Sequence, residues 1–345
     1  MMSRCAAAPL PPARRLEARA RNPHPGPNLK EQIFIVRMDV SLVVTTYNWP
    51  QALDLTLASV QNQSRLPDEV VVADDGSGPE TAQVVQKWAR QLGCPIKHVW
   101  QEDGGYRLAR SRNGAIAAAR GEYLVLIDGD MVLHPRFIED HLRCAQPDCF
   151  IQGARPRLSQ ATTERLLGSD HARPTLLSPG MEHRLYALRS VLLSRLASKT
   201  RATLSGTQGC NQSFWRKHVL QVNGYDERFT AWGPEDREFA ARLLHIGLQR
   251  QYVRHRAIAF HLHHRSRAPE SYNPFDRLLS ETLLTRTVWC KHGIDSHLPS
   301  KVTSSQPIAR ALEPGIATLS TRAEAFTDLD ERERSPAQLA LRSPR

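Results

Sequence analysis

No apolar run in this 345-residue chain approaches the roughly 18 residues that a membrane span needs. The opening stretch MMSRCAAAPLPPARRLEARA also lacks the apolar core of a secretory leader, so a cytoplasmic location is expected. The six cysteines, Cys5, Cys94, Cys144, Cys149, Cys210 and Cys290, include no Cys-x-x-Cys pair. That argues against a zinc ribbon and against a disulfide framework, and reduced thiols are the expectation. The glycine-rich dinucleotide fingerprint is missing, so no nicotinamide or flavin cofactor is predicted. Neither a nucleic-acid motif nor a basic face with aromatic platforms is found, so no nucleic-acid partner is expected.

What is present has the composition of a soluble globular protein with a net charge of +11. Residues 1–37 carry +5 of that charge and residues 296–345 carry +1, leaving +5 for the middle. A mildly basic middle suits phosphate-bearing substrates or anionic lipid headgroups. Residues 1–37, rich in Pro, Ala and Arg, and residues 296–345, rich in Ser, Pro and Ala, lack apolar periodicity and are predicted to be disordered. Met38 directly precedes the first convincing strand, which makes it an alternative start to Met1.

From Asp39 the pattern is regular. Strands are predicted at 40–46, 69–73, 96–100 and 123–127, with helices at 50–61, 79–92 and 108–119 between them. Such alternation implies a Rossmann-like, mostly parallel sheet with helices on both faces, here the nucleotide-binding half, residues 38–130. An acceptor-binding half is expected over 131–295. Within it, residues 182–201 place Leu185, Leu188, Leu192 and Leu196 on one helical stripe among Arg184, Arg189, Arg195, Lys199 and Arg201. That helix either packs on the sheet or rests on an anionic membrane. A further strand is predicted at 209–215 and a short helix at 216–222. A helix opening at Glu235–Asp236, two short strands within 250–260 and a last helix over 275–291 follow.

Three strands end in polar or acidic residues: Thr45-Thr46-Tyr47-Asn48, Asp74-Asp75-Gly76-Ser77 and Asp128-Gly129-Asp130. Alone, Asp-Gly-Asp reads as an ordinary turn. In a parallel sheet, however, all these ends fall on one edge, where open α/β sheets bind ligands. Paired carboxylates there invite a hard divalent cation, Mg²⁺ or Mn²⁺, which in turn binds phosphate oxygens. Downstream, Trp232-Gly233-Pro234-Glu235-Asp236 joins an aromatic ring and a flexible glycine, as a sugar-stacking loop requires, to carboxylates at a helix start. His261, His263 and His264 follow the last strand and offer a metal ligand.

The runs VVTTYN (43–48), VADDGS (72–77), GYRLARSRN (105–113), LIDGD (126–130) and NGYDERFTAWGPEDREFAARLLHIG (223–247) together resemble the family 2 inverting glycosyltransferases of the GT-A fold. The C-terminal half is similar to galactosyltransferases and bacterial chondroitin polymerases. The resemblance covers roughly residues 39–293 and departs from the family pattern at Pro234, where a second glycine is usual. It implies that Thr45 and Tyr47 line the base pocket of the nucleotide-sugar, that Asp75 holds uracil, that Arg112 holds the nucleotide side and that Asp128 contacts the ribose. Asp130 and His261, or His263 or His264 in its place, would ligate Mn²⁺ or Mg²⁺. Trp232, Gly233 and Glu235 would bind the acceptor, with Asp236 as catalytic base. The implied function is transfer from a UDP-hexose or UDP-N-acetylhexosamine to a glycan or lipid-linked glycan in lipopolysaccharide, capsule or a related bacterial surface polysaccharide, with possible peripheral contact at the inner membrane. The alternatives are a sugar-phosphate nucleotidyltransferase, which lacks its glycine-rich, Arg- and Lys-bearing loop here, and a non-catalytic glycan-binding module, which would need neither Asp130 nor Asp236.

Overall fold

A computed structural model describes residues 38–169, 173–265 and 275–299. The expectations for residues 1–37, for 300–345 and for the choice between Met1 and Met38 lie outside the described residues. In chain order the elements are β1 (Val40–Thr46), α1 (Pro50–Gln61), β2 (Glu69–Asp74), α2 (Pro79–Gln91), β3 (Ile96–Trp100), α3 (Leu108–Ala118) and β4 (Tyr123–Asp128). Next come β5 (Met131–Leu133), α4 (Phe137–Cys144), β6 (Cys149–Gln152), β7 (Arg157–Leu158), α5 (Gln160–Leu167), β8 (Met181–Glu182), α6 (Val191–Ala197) and β9 (Lys199–Arg201). The remainder are β10 (Asn211–Trp215), α7 (Arg216–Gln221), α8 (Glu235–His245), β11 (Gln249–Tyr252), β12 (Ala259–His261) and α9 (Asp276–Thr285).

The main sheet has the order β3-β2-β1-β4-β10-β6-β11-β9. β3, β2, β1 and β4 run parallel, β10 is antiparallel to both neighbours, β6 and β11 are parallel, and β9 is an antiparallel edge. β1, β2 and most of β4 are buried along their length, which is why they read as continuous apolar runs without alternation. The order reverses at β1: the chain steps outward to β2 and β3, then returns to β4. Right-handed crossovers therefore put α1 and α2 on one face and α3 on the other, and a crevice opens beyond the C-terminal ends of β1 and β4. On the α3 face, Val43, Val71, Leu124 and Leu126 pack with Ile116, Phe214 and Phe239.

β10, β6 and β11 join this same sheet, so the two expected halves share one core. A second sheet, β5-β12-β7-β8, lies in the C-terminal half, where Ala52 and Leu55 of α1 pack with Val132, Leu158, Leu166 and Phe260. The third acidic residue of the Glu-Asp-Arg-Glu start of α8 is structural. Glu238 is buried against the equally buried Arg242, with both oxygens at 2.8 Å from guanidinium nitrogens and Thr282 of α9 donating at 2.9 Å.

Three expectations change. The single helix over 182–201 is broken into a 3-10 turn (Arg184–Ala187), an extended link, α6 and β9. The link is pulled in because Arg189 makes two hydrogen bonds, 2.7 and 2.8 Å, to the buried Asp140. Ser190 then caps α6 and donates its N–H to His255 O at 3.0 Å, so the leucine stripe is not packed on the sheet. The last helix stops at Thr285, where Arg286 takes a left-handed φ of 50°, instead of reaching Lys291. At the C-terminal boundary, a 3-10 turn at Ile294–His297 crosses residue 295, and His297 Nε2 sits 2.6 Å from Glu227 Oε1.

Glu238→Ala leaves Arg242 charged and unpaired in the core and is expected to destabilise the protein by about 3–5 kcal/mol. Urea unfolding measures this; a loss below about 1 kcal/mol would mean that the pair does not hold α8 to α9.

Candidate functional site

The crevice at the sheet's switch point holds a cavity of about 390 Å³ lined by Thr45, Tyr47, Asp75, Asp128, Asp130 and Trp232, among others. Register explains the meeting. Thr45 pairs with Asp128 across β1 and β4, and its Oγ1 donates to Asp128 Oδ1 at 2.9 Å. Gly129 is required between the two aspartates because a Cβ there would lie 2.7 Å from the Thr45 carbonyl oxygen. Asn48, at φ 48°, ties the β1 loop to the β2 loop: its Oδ1 accepts from Gly78 N–H (3.0 Å) and its N–H donates to Ser77 Oγ (2.9 Å).

The neighbouring Asp74 and Asp75 divide their work. Asp74 is fully buried, accepting the Ser77 N–H at 2.8 Å and lying 2.8 Å from His98 Nε2. Burial alone would raise its carboxyl, but these hydrogen bonds outweigh it and hold the pKa low. Asp75 faces the cavity, accepting from the Arg107 N–H at 2.9 Å and from Gln101 Nε2 at 2.5 Å. Burial leaves its pKa raised.

Asp130 meets the histidines through the small sheet. β12 runs antiparallel to β5 with His261 opposite Met131, and Leu262 N–H donates to Asp130 O at 3.0 Å. Asp130 Oδ2 is 3.6 Å from His261 Nε2 and 3.3 Å from His264 Nε2. These three residues can converge on one ion. Both histidines therefore stand at the aspartate, and His264, edge-on to Trp49, also lines the cavity. His263, whose backbone N–H donates to Thr163 Oγ1 at 2.8 Å, is not part of the cluster. The donor set fits a divalent cation. Asp130 Oδ1 is buried without a hydrogen-bond partner, and burial together with the Asp128 charge pushes the Asp130 carboxyl up to about 8. Burial, aided by Arg155, pushes His261 down to about 3, the neutral form a metal ligand needs.

The resemblance implies a contact to the nucleotide side for Arg112. The residue is 2% exposed and, like Glu235, Asp236 and His261, is not among the residues that line the cavity. From beneath, its guanidinium reaches Asp236 Oδ1 at 2.6 Å, and Glu235 Oε1 and Asp128 Oδ1 each at 3.4 Å. Asp236 Oδ2 also accepts the Gly209 N–H at 2.8 Å, and a Cβ at Gly209 would overlap that carboxylate. β10 brings Gly209 there because Asn211 pairs with Ile127 of β4. Burial raises the Asp236 pKa, with Arg112 opposing. Glu235 is buried, its Oε2 has no hydrogen-bond partner, and burial with the Asp236 charge pushes it up to about 8. Trp232 is about half exposed at the mouth, and Gly233 packs near Phe229 and Phe275.

Sequence reasoning passed over Tyr106 and Gly209. Tyr106 lines the cavity with its hydroxyl 3.4 Å from Glu235 Oε1, and its signal was present inside GYRLARSRN. Gly209 carried no signal beyond opening a strand.

The residue pattern that defines "Glycosyl transferase family 2" matches residues 41–216, just over half of the chain. A second, described as the N-terminal domain of galactosyltransferase, matches residues 191–265. The chain is 29% identical over 263 residues to chondroitin synthase of Escherichia coli, covering 71% of this chain and 37% of that protein. It is 33% identical over 220 residues to validoxylamine A glucosyltransferase of Streptomyces hygroscopicus subsp. limoneus, covering 59% and 47%. The chain thus spans less than half the length of these relatives. Among solved structures, mannosyltransferase PcManGT from Pyrobaculum calidifontis, in complex with GDP-Man and Mn²⁺, is similar at 18% identity with a TM-score of 0.45, covering 73% of this chain and 63% of that one.

His261→Ala and His264→Ala are each expected to weaken Mn²⁺ binding roughly 10-fold or more, whereas His263→Ala leaves it unchanged. Titration of free Mn²⁺ by electron paramagnetic resonance reads this directly. A loss at His263 alone would refute the cluster.

Proposed function

The chain belongs to glycosyl transferase family 2, and from that premise we propose that it is a metal-dependent inverting enzyme. It moves a sugar from a nucleotide-sugar, a UDP-hexose or UDP-N-acetylhexosamine, to a glycan acceptor. One observation carries the reading: strand-end groups of β1, β2 and β4 line one cavity with Asp130 and His264 of the aspartate–histidine cluster, and Arg112 links the cavity's Asp128 to Asp236.

Asp75, with both oxygens already accepting hydrogen bonds from Gln101 and Arg107, is fixed as an acceptor for an imide N–H of a base beside Thr45 and Tyr47. Asp128, oriented by Thr45, serves the ribose. Asp130, His261 and His264 hold the cation, and one carboxylate with two imidazoles suits Mn²⁺ better than Mg²⁺, which prefers oxygen ligands. When bound, that ion neutralises the diphosphate leaving group. Trp232 offers its ring to a sugar face, and Glu235, beside Tyr106 and Arg112, serves as an acceptor-binding group. Asp236 takes the proton from the acceptor hydroxyl as that oxygen attacks the anomeric carbon. Its raised pKa makes it a better base than a solvated aspartate. Since one displacement suffices, the configuration inverts. The acceptor in this reading is a growing bacterial surface polysaccharide, lipopolysaccharide or capsule. The similarity to a chondroitin synthase supports a polymeric glycan acceptor.

The test separates the two acidic sites. Asp130→Ala should weaken Mn²⁺-dependent UDP binding and turnover together. Asp236→Asn keeps shape but cannot accept the proton, so UDP affinity should survive while transfer falls roughly 10²- to 10⁴-fold. Calorimetry with UDP and Mn²⁺ beside a UDP-release assay over UDP- and GDP-sugars reads both. If Asp236→Asn transfers like the wild type, or loses UDP binding as well, the base is misassigned and Glu235 replaces it. If no nucleotide-sugar is turned over, the site binds without catalysing.

A further inference from the structure

The broken helix leaves a surface that transfer chemistry does not use. Leu177, Leu185, Leu192 and Leu196 are 86%, 74%, 67% and 75% exposed, and Val191 and Leu193 are exposed beside them. This stretch is anchored to the body of the protein. Arg184 donates to the carbonyls of Leu176 and Ser178, fixing the turn that carries Leu177. The Arg189–Asp140 pair and the Ser190–His255 bond fix the start of α6. Apolar side chains held out into water on fixed backbone mark an interaction surface.

Charge identifies what it meets. Arg173, Arg184, Arg195, Lys199 and Arg201 are exposed around these leucines, and none has a carboxylate partner among the described residues. The single acid between residues 173 and 201 is Glu182, which faces Arg157 at 3.6 Å. A second copy of the chain would bring like charges face to face, and a neutral apolar partner would leave the cations unmatched.

We propose that this face docks on an anionic lipid bilayer, with the leucines entering the interfacial layer and the cations meeting headgroup phosphates. The face is distinct from the donor cavity and the inference does not depend on the transfer reaction.

The full chain is mixed with sedimentable vesicles of phosphatidylcholine, with or without phosphatidylglycerol. Partitioning is expected only with phosphatidylglycerol and should fall on adding salt. Leu192→Ser with Leu196→Ser should lower it roughly 10-fold or more, and Arg195→Glu with Lys199→Glu roughly 5-fold or more per cation. Both variants should unfold at the wild-type temperature and bind UDP with Mn²⁺ as the wild type does, so a failure of the transfer reading would show separately. Unchanged partitioning in either variant, or equal binding to neutral vesicles, overturns the proposal. So does a wild-type dimer in sedimentation velocity that the leucine variant dissociates, which assigns the face to a second copy.

Discussion

One buried guanidinium organises the site. Burial opposes the charge on Arg112, yet Asp236, Asp128 and Glu235 hold it far above the usual arginine range. The ring of Tyr225 lies 5.1 Å from its central carbon. A buried charge is tolerable only when paired and hydrogen-bonded, and each carboxylate here would be equally costly without the arginine. The carboxylates come from two distant segments, β4 and the start of α8, so α8 cannot take its place without presenting charge to Arg112. The adjacent Asn113 makes the same join in neutral form, donating to Tyr225 O at 2.8 Å and accepting the Tyr225 N–H at 2.8 Å. An Arg-Asn pair on α3 thus fixes the Asn-Gly-Tyr-Asp loop and the acidic helix start behind it.

A second constraint is the register of the small sheet. β5 begins one residue after Asp130, and β12 ends at His261, so their antiparallel pairing carries the histidine segment to the aspartate. The sequence separation of the two ends is closed by backbone hydrogen bonds, and His264 arrives on the segment that follows. An aspartate–histidine cluster built this way depends on strand pairing for its position.

Much of this was legible beforehand. Continuous apolar runs bounded by Pro, Gly and acidic residues gave β1, β2 and β4 nearly to the residue, because burial on both faces leaves a strong signal. The strand-end polar groups followed from parallel topology alone. Local pattern could not reveal long-range pairing. The 182–201 stretch has a sound helical stripe, but Asp140 captures Arg189 from 49 residues away and the helix yields. In the pair Asp74-Asp75 nothing local says which side chain turns inward, since that depends on His98 of the neighbouring strand. The role of Arg112 on the nucleotide side comes from the resemblance alone, and only the tertiary structure supplies the carboxylates that surround its buried guanidinium. Glu238 likewise looks like a third dipole-complementing acid until Arg242 is seen at its side.

The distribution of charge sets the proposed base apart from the proposed cation site. Asp236 has a resident counter-ion: Arg112 at 2.6 Å, with the Gly209 N–H on its other oxygen. Asp130 has none of comparable closeness; its nearest cationic candidates are imidazoles, and His261 is held neutral by burial. In the proposed reaction Asp236 would therefore stay oriented whatever occupies the donor end, as a base at an acceptor hydroxyl must. In the proposed reading a cation would offset the burial and the Asp128 charge that oppose ionisation of Asp130, and an anionic diphosphate bringing such a cation would be drawn to the same spot. A site balanced in this way would gain most from a metal-bearing anionic donor, with Asp236 already oriented by Arg112 and the Gly209 N–H before such a donor binds.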